Sequence, residues 1–304
     1  MEFPELTPEK RLESLKLPSG KIDMVLDTDT YNEVDDQFAL AYALKSSKKL
    51  NLKAVYAAPF HNDRSKGPED GMEKSYQEII NIMKKLDISP EGRVYKGAKD
   101  YLKKQEKPRP NEATEDLIKK AKSSKDKLYV VAIGAITNVA SAIRQKPEII
   151  KDIVVIWLGG HAYHWPHTRE FNLFQDLKAS RTIFNCGVPL VQIPCMGVAS
   201  HIKTTVPELK SYLSESKIGK YLVDIVSDYA SATDSATAWS KVIWDISTIG
   251  YLINEDWVDT NLVHSPILNE NFTWSFDNSR HFIKVAYNLD RDKIFGDLFN
   301  KLNQ

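Results

Sequence analysis

The sequence has 304 residues, of which 42% are hydrophobic and 27% charged, a balance typical of a globular protein with a sizeable core. Its 41 basic side chains equal its 41 acidic ones, so it lacks the basic excess by which proteins bind nucleic acid or acidic membranes. No apolar run is long enough to span a bilayer, and the charged first residues contain no signal-peptide core, so we expect a cytoplasmic protein. The two cysteines, Cys186 and Cys195, are expected to be reduced and buried.

The predicted elements alternate along the chain. Runs rich in Val, Ile, Leu and aromatic residues predict buried strands at residues 23–26, 52–58, 128–133, 153–158 and 190–195. Helical patterns fall at residues 34–45, 72–86, 138–144 and 177–185, and a final strand and helix at 282–289 and 291–302. This alternation predicts an α/β fold with an open, mainly parallel sheet flanked by helices. Since no repeat or linker divides the chain, we expect one domain over residues 1–304.

Acidic residues are concentrated just after the first predicted strand. Asp27, Asp29, Glu33, Asp35 and Asp36 lie within ten residues. Helix capping would employ one such carboxylate, whereas several at the end of a buried strand would repel one another unless a cation compensated them. Carboxylates are the ligands that hard divalent cations prefer, so the run predicts a metal site.

Polar residues also follow the next three strands. Asn62 follows the second strand, Asn138 the third, and Glu170 and Asn172 come after the fourth. Taken alone, Glu170 and Asn172 would be ordinary turn and cap residues, and Thr137, before Asn138, a natural helix cap. In open α/β sheets, however, ligands bind at the carboxyl ends of the strands, and together these residues predict one site at that edge.

Two later groups have competing explanations. Asp245 borders the apolar stripe of a helix predicted over residues 239–253, where a buried carboxylate needs a lysine, a backbone amide or a metal ion as its partner. His161, His164 and His167 recur at a spacing of three among aromatic residues in a predicted loop. A loop lacks the fixed geometry of a zinc site, so this segment indicates an aromatic wall for a flat ligand or plain loop packing.

The motifs taken together resemble the inosine–uridine-preferring nucleoside hydrolase family. The shared pattern is D-x-D followed by DD after the first strand, Asn after the second, G-x-x-TN after the third, GG with EFN after the fourth, and a late WD. The resemblance extends from residue 23 to the closing helix. It implies hydrolysis of the N-glycosidic bond of ribonucleosides to ribose and free base, a tightly bound Ca²⁺, and a homodimer or homotetramer.

The resemblance also implies which residues form the metal site. Asp29, Asp36 and Asp245 would bind Ca²⁺ through their carboxylates, together with the backbone carbonyl of Ile133. Asp29 would in addition be the general base that takes a proton from a metal-bound water as this water attacks the sugar. The remaining acidic residue of the D-x-D motif, Asp27, would be structural.

Other residues match positions that bind the substrate in the family. Asp35 and Asn62 would bind the ribose 2′-hydroxyl, Asn172 with Asp245 the 3′-hydroxyl, and Glu170 the 5′-hydroxyl. Such carboxylates would also favour the positive charge that develops on the sugar in glycoside hydrolysis.

Three features depart from the family pattern. Residues 31–33 lengthen the spacing between the D-x-D and DD motifs by two residues. Trp244 occupies a position that often carries a histidine, a candidate acid for the leaving base, and His164 occupies one that commonly carries an asparagine. Either His164 contributes the acid, or Trp244 stacks on a base that leaves without protonation.

Two other functions remain possible from the sequence. Residues 25–30 also match the first motif of haloacid dehalogenase-like Mg²⁺ phosphatases, in which Asp27 would be the nucleophile, although no later motif of that class follows. Since Trp244 cannot titrate, the protein could also be a homologue that binds metal and sugar without turnover.

Overall fold

The computed structural model describes residues 2–102, 107–213, 215–232 and 238–304. The strands within these ranges are β1 (Ile22–Thr28), β2 (Leu50–Ala57), β3 (Val94–Lys96), β4 (Leu128–Ala132), β5 (Ile153–Leu158), β6 (Leu190–Ile193), β7 (Lys203–Thr204), β8 (Lys241–Val242), β9 (Val258–His264), β10 (Ile267–Leu268), β11 (Trp274–Ser275) and β12 (Phe282–Leu289). The helices are α1 (Pro8–Ser14), α2 (Asp36–Lys45), α3 (Pro68–Lys85), α4 (Glu112–Ser123), α5 (Thr137–Gln145), α6 (Phe171–Gln175), α7 (Leu177–Asn185), α8 (Val206–Leu213), α9 (Lys217–Ala232), α10 (Ile246–Ile253) and α11 (Arg291–Leu302).

Within the described residues, the central sheet has eight strands in the order β3-β2-β1-β4-β5-β6-β12-β9. The strands from β3 to β12 pair in parallel, and β9 pairs antiparallel with β12 at the edge. The predicted α/β fold with an open, mainly parallel sheet is therefore confirmed. The apolar pattern does not predict β3 and β9. β3 has only three residues, and most side chains of β9 are exposed or half-buried, so neither strand forms an apolar run.

Both faces of the sheet are covered, which explains the nearly continuous apolar runs of its strands. Met24 and Leu26 of β1 face one core layer, while Val25 between them faces the other. The same alternation occurs in β5, where Ile156 and Trp157 contribute to opposite layers. Since side chains of a strand alternate between its two faces, every residue of β5 and all of β1 except Asp23 are buried.

The order of the strands places a crevice between β1 and β4. The chain builds outward from β1 to β2 and β3 on one side, and from β4 to β5 and β6 on the other. Asp27 of β1 is in register with Ala132 of β4, so the residues that follow the two strands emerge side by side. Such a reversal of strand order is where open α/β sheets bind ligands.

The helix predicted over residues 239–253 is wrong in its first half. Lys241–Val242 forms β8, which pairs antiparallel with β7, and α10 begins only at Ile246. Asp245 is therefore the residue before a helix and not part of a stripe along one. The apolar spacing misled because the buried positions of this segment include Lys241 and Asp245, whereas the apolar Val242 and Trp244 are only half-buried, so hydrophobicity does not follow the alternation of a strand.

Two other expectations can be compared with the structure. Cys186 and Cys195 are both buried and unbridged, as predicted. None of the helices in the described ranges combines the length and the apolar character that crossing a membrane requires.

Candidate active site

A cavity of about 320 Å³ opens at the carboxyl ends of the parallel strands, a volume typical of small-molecule sites. Most of the residues predicted for the site line it, although they come from segments that are far apart in the sequence. The lining residues are Asn32, Glu33, Asp35, Asp36, Asn62, Ile133, Leu158, His161, Arg169, Glu170, Phe171, Asn172, Cys195, Met196, Trp244 and Asp245.

Three buried carboxylates meet on one side of this cavity. Asp35 and Asp36 begin α2, Asp245 directly precedes α10, and these two helices pack together. One carboxylate oxygen from each residue lies within 4.8 Å of the other two. Burial, opposed by nearby Lys241, raises the pKa of Asp35 to about 6, and burial with the charge of Asp35 raises the pKa of Asp36 to about 8. The pKa of Asp245 is raised well above its usual value for the same reasons, so these side chains repel one another.

Asp29 adds a fourth buried carboxylate next to these three. Its side chain is fully buried, and neither of its oxygens has a hydrogen-bond partner among the described residues. Gly134 makes room for it, because a side-chain carbon at residue 134 would lie 2.9 Å from Asp29 Oδ1. Burial, followed by the charges of Asp36 and Asp35, raises the pKa of Asp29 well above its usual range. A hard cation bound between these oxygens would satisfy both the missing partners and the repulsion, so the residues fit a divalent metal.

The carbonyl of Ile133 and the amide of Asn172 lie together in the crevice. Asn172 Nδ2 donates to the carbonyl oxygens of Ile133 and Leu158, each at 3.1 Å. These two bonds use both hydrogens of the amide, so Asn172 offers its Oδ1 acceptor to the cavity. Ile133 lines the cavity, as expected of a residue whose carbonyl was predicted to bind metal.

Glu170 both caps a helix and lines the cavity. Its carboxylate accepts hydrogen bonds from the backbone N–H groups of Gly160, Asn172 and Leu173, at 2.9, 2.8 and 3.1 Å. Gly160 has φ +74°, a conformation that favours glycine, and this turns its N–H toward Glu170. Burial raises the pKa of Glu170 to about 7 against the effect of these bonds. The cap explanation is thus correct, and it does not exclude a role in binding.

Residues 31–33, here called the inserted segment, are held by contacts at each position. The guanidinium of Arg64 lies 4.5 Å from the centre of the Tyr31 ring, and Asn62 Nδ2 donates to Asn32 Oδ1 at 2.6 Å. Glu33 forms an ion pair of 2.5 Å with Lys241, whose side chain is 7% exposed. Lys241 was not among the residues predicted for the site. Its position within a largely apolar run, four residues before Asp245, is the sequence signal that points to it.

Apolar and aromatic residues, here called the aromatic side, also line the cavity. Trp244, Phe171 and Met196 line it together with His161 and Arg169. His161 Nδ1 accepts a hydrogen bond from the Met196 N–H at 3.3 Å, and burial with the nearby His167 lowers the pKa of His161 to about 4. The ring is therefore neutral at pH 7, and its hydrogen lies on Nε2.

Three predicted site residues are not among those that line the cavity. Asp29 is one of them, since it is fully buried next to Asp36 and Asp35, which do line the cavity. His164 is exposed and is not among the residues that line the cavity, so the structure does not bring it to the predicted site. Tyr163, expected in an aromatic wall, instead donates to Gln192 and packs against Trp274. The spacing of the histidines could not show which ring points inward, because the segment is a loop without a regular period.

Asp27 lies apart from the cavity. Its side chain is fully buried, and Asn138 Nδ2 donates to its Oδ1 at 2.8 Å. Asn138 also accepts from the Ala98 N–H through its Oδ1, so this pair joins β1, α5 and the loop after β3. Thr137, expected as the cap of the helix, is instead its first residue, and no described side chain caps α5.

Known proteins resemble this chain in sequence and in fold. A stretch of 149 residues is 30% identical to a pyrimidine-specific ribonucleoside hydrolase, RihB, of Escherichia coli, and covers 46% of each chain. The matched stretch thus spans about half the length of this curated relative. A purine-preferring ribonucleoside hydrolase of Gardnerella vaginalis superposes with a TM-score of 0.76 at 22% identity, over 92% of this chain and 98% of its own. A plant nucleoside hydrolase superposes with a TM-score of 0.74 at 20% identity, over 94% and 99%.

At these identities the two superpositions establish the fold alone. The family is shown by the sequence itself, because the pattern of the inosine-uridine preferring nucleoside hydrolases matches residues 24–296. That range begins at β1 and ends within α11, so it contains every residue that lines the cavity. The chain therefore belongs to the inosine-uridine preferring nucleoside hydrolase family.

Proposed function

We propose that this protein hydrolyses the N-glycosidic bond of ribonucleosides, giving ribose and free base, with Ca²⁺ as its metal ion. The observation that carries the proposal is Asp29, a fully buried carboxylate without a hydrogen-bond partner among the described residues, beside three more carboxylates in a cavity of nucleoside size. Its family membership and the names of its relatives support the same reaction.

Asp29, Asp36 and Asp245 would hold the Ca²⁺, with the carbonyl of Ile133. All of these are hard oxygen ligands, and the carboxylates need a cation to remain ionised together at neutral pH. A bound Ca²⁺ would supply positive charge that polarises water and the hydroxyl groups of the sugar. Asp29 is the residue with free lone pairs, so it would accept the proton of the water that attacks C1′.

The sugar would lie over the polar side of the cavity. Asp35 is proposed for the 2′-hydroxyl, where the family pattern also places Asn62, Asn172 with Asp245 for the 3′-hydroxyl, and Glu170 for the 5′-hydroxyl. Asn172 suits its role because its free Oδ1 can accept a hydrogen bond from a hydroxyl group. The grouped carboxylates would also stabilise positive charge as it develops on the ribose ring.

The leaving base would lie against Trp244, on the aromatic side of the cavity. Trp244 offers a flat apolar face but no titratable group, so it can stack without giving a proton. His161 is the nearer alternative to His164 as a hydrogen-bond donor, because it lines the cavity and carries its hydrogen on Nε2. The proposal therefore assigns recognition of the base to Trp244 and His161.

The phosphatase alternative has less support. Its nucleophile would be Asp27, but Asn138 Nδ2 donates to Asp27 Oδ1, whereas both oxygens of Asp29 lack a partner among the described residues. These contacts favour Asp29 over Asp27 as the reactive carboxylate. A homologue that binds metal and sugar without turnover would use the same residues, so an experiment is needed to distinguish it from an active hydrolase.

The test is a panel of purine and pyrimidine ribonucleosides incubated with the purified protein, with release of reducing sugar as the readout and metal analysis of the same sample. We expect sugar release from at least one nucleoside, stoichiometric Ca²⁺, and no release by the Asp29→Asn variant. Tight ribose binding without release from any nucleoside would instead favour the binding homologue. A trapped fluoroaluminate complex with Mg²⁺ would favour the phosphatase.

A further inference from the structure

The amide of Asn62 is bonded to protein groups through both its oxygen and its nitrogen. Its Oδ1 accepts the backbone N–H of Arg64 at 2.9 Å. Its Nδ2 lies 2.6 Å from Asn32 Oδ1 and 3.3 Å from the carbonyl oxygen of Asn32. Asn62 is therefore engaged by Arg64 on one side and by Asn32 on the other.

This bonding fixes the orientation of Asn32 as well. A backbone N–H can only donate, so Arg64 determines that Asn62 presents its oxygen there and its Nδ2 toward Asn32. Asn32 must then present its own oxygen to Asn62. Asn32 Nδ2 has no hydrogen-bond partner among the described residues, and Asn32 lines the cavity. Asn32 therefore leaves an amide donor available, and this donor belongs to the inserted segment.

The inserted segment is anchored firmly enough to act as part of the site. Glu33 Oε2 pairs with Lys241, and its Oε1 accepts from the hydroxyl of Tyr229 at 3.2 Å. Its backbone carbonyl accepts from Arg64 at 2.9 Å. Contacts on both sides of Asn32 therefore restrain it, so a ligand that it binds need not order the loop first.

Asn32 and Asn172 present opposite groups to the cavity. Asn172 has donated both hydrogens to strand-end carbonyls and keeps an acceptor, whereas Asn32 has used its acceptor and keeps a donor. A hydroxyl group can accept from one neighbour while it donates to another. Asp35, three residues after Asn32, is a carboxylate acceptor that lines the same cavity.

We infer that Asn32 is a sugar-binding residue, which donates a hydrogen bond from Nδ2 to the ribose 2′-hydroxyl while Asp35 accepts from the same group. Asn62, which the family pattern matches to this hydroxyl, is then a positioning residue that orients Asn32. The inference rests on the proposed function. It makes the inserted segment a determinant of specificity for ribonucleosides over 2′-deoxyribonucleosides.

The test compares Asn32→Ala with the unaltered protein on a ribonucleoside and on its 2′-deoxy counterpart. Loss of one hydrogen bond to the substrate predicts a fall in kcat/KM of about tenfold on the ribonucleoside and less than about twofold on the 2′-deoxy substrate. Asn62→Ala should show the same dependence on the 2′-hydroxyl, since it releases Asn32. Equal losses on both substrates, or no loss on the ribonucleoside, would overturn the inference.

A matched control lies in the same segment. Tyr31→Phe keeps the ring that contacts Arg64 and does not line the cavity, so it should change neither substrate's kcat/KM. Calorimetric titration of ribose and 2-deoxyribose into the Ca²⁺-loaded protein makes the same comparison without turnover. If no nucleoside is hydrolysed, the proposed function fails. The role of Asn32 is then still tested by this titration, because Asn32→Ala should remove the preference for ribose over 2-deoxyribose.

Discussion

The two sides of the cavity are built in different ways. The acidic side consists of Asp29, Asp35, Asp36 and Asp245, which are buried at a strand end or helix start and are fixed by the sheet and by α2 and α10. The aromatic side comes largely from loops, where Arg169 is exposed and its neighbours differ widely in burial. In the proposed function, chemistry that requires a fixed arrangement of charges would thus lie on the rigid elements, and recognition of the base on the loops.

The largest expected effect is the difference in kcat between variants of the two aspartates of the D-x-D motif. Asp29→Asn removes the proposed general base, so we expect kcat to fall by about 10³-fold. Asp27→Asn is the matched control, since Asp27 contacts Asn138 outside the cavity and an amide keeps the shape of its side chain. Steady-state kinetics on the best nucleoside would measure both. The opposite ranking of the two variants would support the phosphatase, and activity of Asp29→Asn within a few-fold would remove Asp29 as the base.

Removal of the metal should destabilise the folded protein, because the carboxylates of the acidic side would then repel one another. At a free Ca²⁺ concentration of 100 times the dissociation constant, binding to the folded protein stabilises it by about 2.7 kcal/mol, which chelation would remove. We expect a lower melting temperature by calorimetry, and ribose binding should be lost with it. An unchanged melting temperature after chelation would count against the metal site.

The metal-free protein should also have a distinctive pH dependence. The pKa values of Asp35 and Asp36 are raised to about 6 and about 8, so the folded chain binds more protons than the unfolded chain. The contribution of these two groups to stability should therefore be complete below about pH 4 and should be lost as the pH rises to about 8. Saturating Ca²⁺ should reduce this loss, because the ion favours the ionised carboxylates. Melting temperatures across this range, with and without the ion, test both statements.

The sequence predicted the acidic side of the cavity better than the aromatic side. Buried parallel strands are recognised by their apolar runs, and the residues after them must share one edge of the sheet, so Asp29 and Ile133 could be placed together. The role of Asn62 could not be foreseen, because it depends on the orientation of one amide opposite the Arg64 N–H. His161 could not be separated from His164 either, since a loop has no period that tells which ring faces inward.

A smaller effect tests how the inserted segment is attached to the acidic side. Lys241→Met leaves Glu33 without its cation; because Glu33 is partly exposed, we expect a loss of about 2 kcal/mol in the free energy of unfolding, less than for a fully buried pair. Adding Glu33→Gln should recover part of that loss, since no unpaired charge remains. Urea denaturation of both single variants and the double variant measures the coupling. Additive effects would show that the pair does not hold the segment.

The smallest effect concerns Trp244 on the aromatic side. If a base stacks on it, Trp244→Ala should raise KM by about tenfold, which corresponds to about 1.4 kcal/mol of stacking, while ribose affinity and Ca²⁺ content stay unchanged. Trp244→His restores the residue common in the family at this position. If residue 244 of the unaltered enzyme does not protonate the leaving base, this variant should add a new titration to the pH profile of kcat, near the pKa of histidine. A parallel loss of ribose affinity in Trp244→Ala would contradict the division of the cavity, because the aromatic side would then also position the sugar.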